Sequence, residues 1–171
     1  MKCLVVYSSV TGNTQAVAGA IHRVLPESAV LSPVYKAPDP ETFDFIALGF
    51  WVRRAKPDPR MLRYMERVRG KRVAWFGTLV ARPDSEHAGA VRRNATEALA
   101  GNSVLGGILC QGRLPAKKLA GLLDGTLRRK AHPMTEERRA LLIQASQHPD
   151  AEDFAMAGAA FRDFLQRAKR L

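Results

Sequence analysis

Lys2-Cys3-Leu4-Val5-Val6-Tyr7 runs straight into Ser8-Ser9-Val10-Thr11-Gly12-Asn13-Thr14, and this junction decides the fold. An apolar, β-branched run ends at hydroxyls, one glycine and one amide. A helical pattern begins at once, with Val17, Ala18, Ala20, Ile21, Val24 and Leu25 at three- and four-residue spacing. A strand, a tight polar loop and a helix N-terminus in that order make an anion site, because loop amides and the helix dipole both favour negative charge there. Ser9, Thr11, Asn13 and Thr14 offer side-chain donors, and none is charged. The run Ser8–Thr14 therefore reads as a cradle in which hydrogen bonds alone meet a phosphate.

The loop has neither the Gly-x-Gly-x-x-Gly dinucleotide fingerprint nor the Gly-Lys-Ser/Thr ending of a triphosphate loop. The rest of the chain continues the alternation. Strand signals lie at Lys2–Tyr7, Ala29–Leu31, Phe43–Gly49, Arg72–Gly77 and Val104–Cys110. Helical signals lie at Thr14–Val24, Pro59–Val68, Ser85–Ala100 and Pro115–Leu123, with Thr135–Gln147 and Asp150–Leu171 after the last strand. Short, nearly continuous apolar strands alternating with helices imply right-handed βαβ units and a parallel sheet covered on both faces. In such a sheet, ligands bind beyond the carboxyl ends of the strands where strand order reverses. The loops from Gly49 and Gly77 are then the ones to read beside the first.

At 171 residues one domain is the natural expectation. No apolar run approaches the length of a membrane span, and Cys3–Val6 is too short for a signal peptide, so a cytoplasmic protein is expected. Cys3 and Cys110 fall inside strands and read as buried reduced thiols. The four histidines are scattered and no metal-ligand spacing is found. The balance of 27 basic to 16 acidic residues gives a net charge of +11. Of the basic residues 19 are arginine, which fits a coding bias as well as a positive docking surface.

The order Ser9-Val10-Thr11-Gly12-Asn13-Thr14 resembles the phosphate loop of flavodoxins, Thr/Ser-x-Thr-Gly-Asn-Thr at the end of the first strand. That resemblance implies a doubly wound three-layer α/β sandwich, with a five-stranded parallel sheet of order 2-1-3-4-5 and helices on both faces. Residues 1–171 would form one flavodoxin-like domain, with a helical part over 125–171. It implies bound FMN. Flavodoxins place an aromatic residue on the loop after the third strand to stack on the flavin ring, and here that loop carries Phe50, Trp51 and Val52, with Trp51 the stacking candidate. Thr78, Leu79 and Val80 fall on the second ring loop, where backbone amides meet the pyrimidine end and where many flavodoxins carry an aromatic and an acidic residue. Asp84 or Ser85 then caps the next helix.

Gly49-Phe50-Trp51-Val52, Phe76-Gly77-Thr78, Pro83-Asp84-Ser85-Glu86-His87, Cys110-Gln111-Gly112, His132-Pro133-Met134-Thr135 and His148-Pro149-Asp150 together resemble one branch of flavodoxin-like proteins of anaerobic bacteria. Members of that branch sit near various reductases, including the bilirubin-reducing kind. An acidic residue often follows their Gly-Phe-Trp-Val, where this chain has Arg53. Gln111 and His132 lie on segments that could approach the ring in such a fold, with a solvated loop histidine the favoured reading of His132.

Nine basic residues lie between Arg53 and Arg72, opposed only by Asp58 and Glu66, and a second cluster is Arg128-Arg129-Lys130. Arg60, Arg63 and Arg67 share a helical face. Such a band is either a solvated helix face or, with Arg53, Arg54, Arg60 and Arg63, a dock for an acidic redox protein. Charge reversal at Arg60 and Arg63 should then slow electron exchange at low salt. Arg53 and Arg54 should also make the flavin's low-potential couple less negative than in acidic flavodoxins. The leading expectation is an electron carrier with no catalytic side chains of its own. The alternatives are a flavodoxin-like flavin, quinone or protoporphyrinogen oxidoreductase, and a flavin-free interaction domain. Specific nucleic-acid binding is disfavoured, because only Tyr64 interrupts the basic band with an aromatic.

Overall fold

The computed structural model describes residues 1–127 and 133–171. Arg128, Arg129, Lys130 and His132 lie outside the described residues. Among the described residues six strands form, β1 Cys3–Tyr7, β2 Val30–Pro33, β3 Phe45–Arg53, β4 Lys56–Pro57, β5 Arg72–Leu79 and β6 Ser103–Gln111. The helices are α1 Asn13–His22, α2 Pro59–Met65, α3 Glu86–Glu97, α4 Ala116–Leu123, α5 Glu136–Ala145 and α6 Ala151–Ala168.

The main sheet runs β2-β1-β3-β5-β6 with parallel neighbours throughout. With the two-residue β4 set aside, this is the expected 2-1-3-4-5 order. Alternation along β1 sorts the core into two layers. Cys3 and Val5 meet α1 and α6, where Phe161 sets its edge against Phe76 at 5.7 Å and Phe164 at 5.3 Å. Leu4 and Val6 face the other way, with Met61 and Met65 of α2 and Val91 and Ala95 of α3. Both cysteines are free and buried. No helix among the described residues is long and apolar enough to cross a membrane.

Helix starts follow local chemistry. Ser85 caps α3 by accepting from the Ala88 amide at 3.2 Å, and Thr135 caps α5 by accepting from Arg138 at 3.1 Å. Asp150 opens α6 with a capping box completed by Asp153.

The largest departure from the sequence expectation is at β3. The expected loop Gly49–Lys56 is instead a strand that continues to Arg53 and folds back as β4, with Arg53 opposite Lys56 and Val52 opposite Pro57. The two-residue turn is Arg54-Ala55, with φ of 52° and 59°. Both residues thus sit in the left-handed region, where Asn-Gly is the usual choice. The Asn94 side chain of α3 donates to the Ala55 carbonyl at 2.7 Å and holds the turn down. Turn chemistry that depends on a tertiary partner is invisible to a reading of local residues.

Candidate functional site

The carboxyl ends of β1, β3 and β5 converge where the strand order reverses. Gly12 stands at the N-cap of α1 with φ of 86°, a conformation that glycine adopts without strain. No side chain caps α1 and its first turn holds no acidic residue. The amides of Asn13, Thr14 and Gln15 have no carbonyl partner inside a helix, so they stay open to a ligand. A Cβ built on Gly12 would meet nothing within 4 Å, so open space lies beside the loop.

Several side chains expected to reach a phosphate are engaged within the protein instead. Ser8 donates its hydroxyl to Asp58 Oδ1 at 2.9 Å and its amide to the Gly49 carbonyl at 2.8 Å. Thr14 Oγ1 and Thr78 Oγ1 share a hydrogen bond of 2.8 Å. Asn13 Nδ2 donates to the Arg113 carbonyl at 2.8 Å, while its buried Oδ1 has no partner among the described residues. The physical reason is burial. Ser8, Asn13 and Thr14 are all buried and must satisfy their polar atoms locally. The loop is thereby pinned to α2, to β5 and to the segment after β6. That leaves Ser9 and Thr11 as the loop side chains nearest solvent, with Ser9 Oγ also accepting from the Gly12 amide at 3.2 Å. Val10 is exposed.

Asp58, in the sequence only one of two acidic residues that oppose the basic band, proves to be a structural hub beside the loop. It is 1% exposed and caps α2 by accepting from Arg60 and Met61, at 3.1 and 3.4 Å, while holding Ser8. Its Oδ2 is buried without a partner among the described residues. The Asp58-Pro59 pair was the available signal, since Pro at the first helical position commonly follows an N-cap aspartate.

Along β3, Trp51 is half-buried and sits beside Thr78 in register. Alternation puts it on the α1 face of the sheet, opposite to Phe50 and Val52. Phe50 is fully buried, and its ring lies 5.9 Å from that of Trp75, so it packs the core and offers no ring to the rim. Thr78 and Leu79 are buried ends of β5, and Leu79 also belongs to the core under α2 and α3. Val80 is half-buried, and its carbonyl accepts from Gln111 Nε2 at 3.1 Å. The Leu79 carbonyl accepts from the Gly112 amide at 2.8 Å. Gln111, expected near the ring, thus braces the loop after β5. A Cβ at Gly112 would stand 2.7 Å from Asn13 Nδ2, so glycine is needed where this segment meets the phosphate loop.

The four arginines of the expected dock separate into two places. Arg53 and Arg54 are exposed at the β3–β4 turn. Arg60 and Arg63 lie on α2 and Arg67 on the turn that closes it, and together they line a groove with Val34, Tyr35 and Tyr64. Two other basic residues of the band have local tasks. Arg69 Nη1 donates to the Val68 carbonyl at 2.9 Å, and Lys71 meets Glu41 at 3.3 Å. Elsewhere, His148 Nδ1 lies 2.6 Å from Asp153 Oδ2 and 3.6 Å from Asp150 Oδ2. This trio could hold a metal ion by proximity, yet both aspartates already serve the α6 capping box. The three residues lie close together in the chain, and it is the turn of the chain into the α6 cap that brings the His148 ring onto both carboxylates.

A family model of the flavodoxin domain matches residues 4–162. This chain belongs to the flavodoxin family. It is 28% identical over 176 aligned residues to the flavodoxin-like domain-containing protein BilS of Clostridioides difficile, covering 98% of each chain. Among solved structures, oxidised flavodoxin 2 from Bacillus cereus superposes with a TM-score of 0.62 at 19% identity, over 98% of this flavodoxin and 99% of that chain. A Lactobacillus acidophilus flavoprotein in complex with FMN gives 0.54 at 18% identity, over 63% of this flavodoxin and 92% of that chain.

Proposed function

We propose that this flavodoxin binds FMN non-covalently and carries electrons between larger redox enzymes. The observation that carries the reading is the uncapped α1 N-terminus behind Gly12, on the same sheet edge as Trp51 and Thr78. The residues present fit the group. Open amides and a helix dipole suit a phosphate, and the unpartnered Asn13 Oδ1 suits a hydroxyl donor. The FMN complex of the Lactobacillus flavoprotein, a structural relative, supports the same choice.

The flavin supplies one- and two-electron redox chemistry when bound. The chain's own residues bind and orient it. The amides of Asn13, Thr14 and Gln15, with Ser9 and Thr11, hold the phosphate. Trp51, on the α1 face of β3, flanks one side of the ring, Val52 supports the strand end from the opposite face, and Thr78, Leu79 and Val80 meet the ring from β5. The three pins on the phosphate loop preorganise it, so less ordering is required on binding. Arg53 and Arg54, beside Trp51, attract an acidic redox partner to the ring edge and favour added negative charge on the ring. The remaining arginines of the proposed dock, Arg60 and Arg63, extend this positive field along α2.

The deciding measurement is whether the purified protein is yellow and releases FMN on denaturation. A colourless protein that does not take up added FMN overturns the reading. Steady turnover of a quinone with NAD(P)H by the pure protein would instead favour an enzyme. Arg53→Glu/Arg54→Glu should lower the potential of bound FMN by tens of millivolts at low salt, less so at high salt.

A further inference from the structure

The arginines of α2 face a place of their own. A groove with two lobes, of about 340 and 180 Å³, runs beside this helix. The larger lobe is walled by Tyr35, Tyr64, Arg60, Arg63 and Arg67 over Val34. The smaller lobe shares Val34, Tyr35 and Arg60 and reaches Ser8, Ser9 and Gln15. Among the described residues no carboxylate lines either lobe. Asp58 lies buried behind the wall, accepting from Ser8 and from the Arg60 amide, and Asp39 stands 4.0 Å from Arg67 with both side chains exposed, a pair worth little in water.

Composition separates this groove from an ordinary charged face. Tyr and Arg are the side chains enriched at protein interfaces, whereas Lys is depleted. Tyr35 is 73% exposed, an aromatic ring left in water. Tyr64, by contrast, is fixed. Its hydroxyl donates to the Pro38 carbonyl at 2.9 Å, and the Arg67 guanidinium stacks 5.5 Å from its ring centre. The wall is thus rigid on one side and adaptable on the other.

Spacing points to the occupant. Arg60, Arg63 and Arg67 stand on α2 and its closing turn, at i, i+3 and i+7. At ~1.5 Å rise per residue they spread over about 10 Å. A partner helix with glutamates at the same intervals presents carboxylates on the same pitch, each able to meet a guanidinium in a forked pair. An apolar residue between them would cover Val34 and Tyr35.

We propose that this groove docks an acidic amphipathic helix of the redox partner. The helix seats in the larger lobe, toward β2, so it leaves the smaller lobe with Ser9 and Gln15 to the phosphate and keeps the Trp51 and Thr78 edge uncovered. The proposal rests on the electron-carrier reading for the partner's role, though not for binding itself.

The test uses the full chain, with and without added FMN, at low salt. The probe is a fluorescein-labelled, alanine-rich helical peptide with Glu at i, i+3 and i+7 and Leu on the same face, read by anisotropy. A matching peptide with Gln for Glu serves as control. Arg60→Glu/Arg63→Glu should weaken binding of the acidic peptide by about tenfold or more. Tyr35→Ala, at an exposed site where folding is unaffected, should weaken it several-fold. Arg162→Glu/Arg170→Glu makes the same change of net charge at exposed positions in and just after α6, and should leave binding nearly intact. Equal loss in the two charge-reversed proteins, equal binding of the Gln peptide, or tighter binding of a single-stranded oligonucleotide to Arg60 and Arg63 would each overturn the dock. Binding that persists in a protein unable to take up FMN would sink the carrier reading and leave the dock standing.

Discussion

Asp58 offers the sharpest test of how the phosphate loop is held. Its carboxylate accepts from Ser8 Oγ at 2.9 Å and from the amides of Arg60 and Met61, all through Oδ1. Asp58→Ala removes an N-cap, at a cost of about 1 kcal/mol. It also leaves the buried Ser8 hydroxyl without its acceptor, costing about 2 kcal/mol more. Against this, the substitution removes a buried carboxylate whose Oδ2 has no partner, which returns roughly 1 kcal/mol. The net loss is about 2 kcal/mol, a fall in Tm of roughly 4–8 °C for a chain of this size. Asp58→Asn keeps an oxygen at the Oδ1 position for both tasks and should stay within about 1 kcal/mol of the parent. Urea unfolding of the flavin-free protein, followed by circular dichroism, measures both at unchanged slope. If the alanine and asparagine variants are equally stable, Asp58 neither caps α2 nor pins Ser8, and the loop is held by other means.

Further expectations follow from local features. Ala55→Gly relieves a left-handed φ of 59° and should stabilise the β3–β4 turn by up to about 1 kcal/mol in urea unfolding. Asp150 is held below its ordinary 3.8, mainly by accepting the Asp153 amide. Its contribution is therefore complete above 3.8 and is lost as pH falls through the lowered folded value, so Asp150→Asn should flatten the acid limb of a stability profile. Burial pushes the Cys110 thiol up to about 12, with Asp153 and Asp150 adding to the rise, and burial also raises Cys3. Neither thiol should react with a disulfide reagent at pH 8 until the protein is unfolded.

The sheet was legible because its signals are local and repeated. Each strand of β1, β3, β5 and β6 is an apolar run long enough to be read by itself, and the helices between them carry three- and four-residue spacing. Edges were less legible. β3 passes through Gly49 to Arg53 because its neighbour β5 continues to pair with it, Trp51 opposite Thr78. A glycine that looks like a strand end in sequence is instead where the ring of Phe76 needs room. The β3–β4 turn depends on Asn94, 39 positions away in the chain, and no window of local residues contains both.

The site shows the same division more sharply. Ser9 to Thr14 was readable as the turn from β1 into α1 because strand, Gly12 and helix start lie together in sequence. The destination of each hydroxyl was not, because it depends on what the fold brings alongside. Ser8 finds Asp58, Thr14 finds Thr78 and Asn13 finds Arg113, at separations of 50, 64 and 100 positions. Those long reaches change the meaning of the loop's polarity. A hydroxyl-rich loop suggests that side chains do the binding. With three of the polar side chains spent on holding the loop still, the proposed phosphate site rests mainly on main-chain amides that are already in position. The same logic divides the arginines. Counted along the chain they make one basic band, but the hairpin carries Arg53 and Arg54 to the Trp51 edge while α2 turns Arg60 and Arg63 into a groove lined with tyrosine. One stretch of positive charge thus becomes two surfaces, separable by charge reversal at either one.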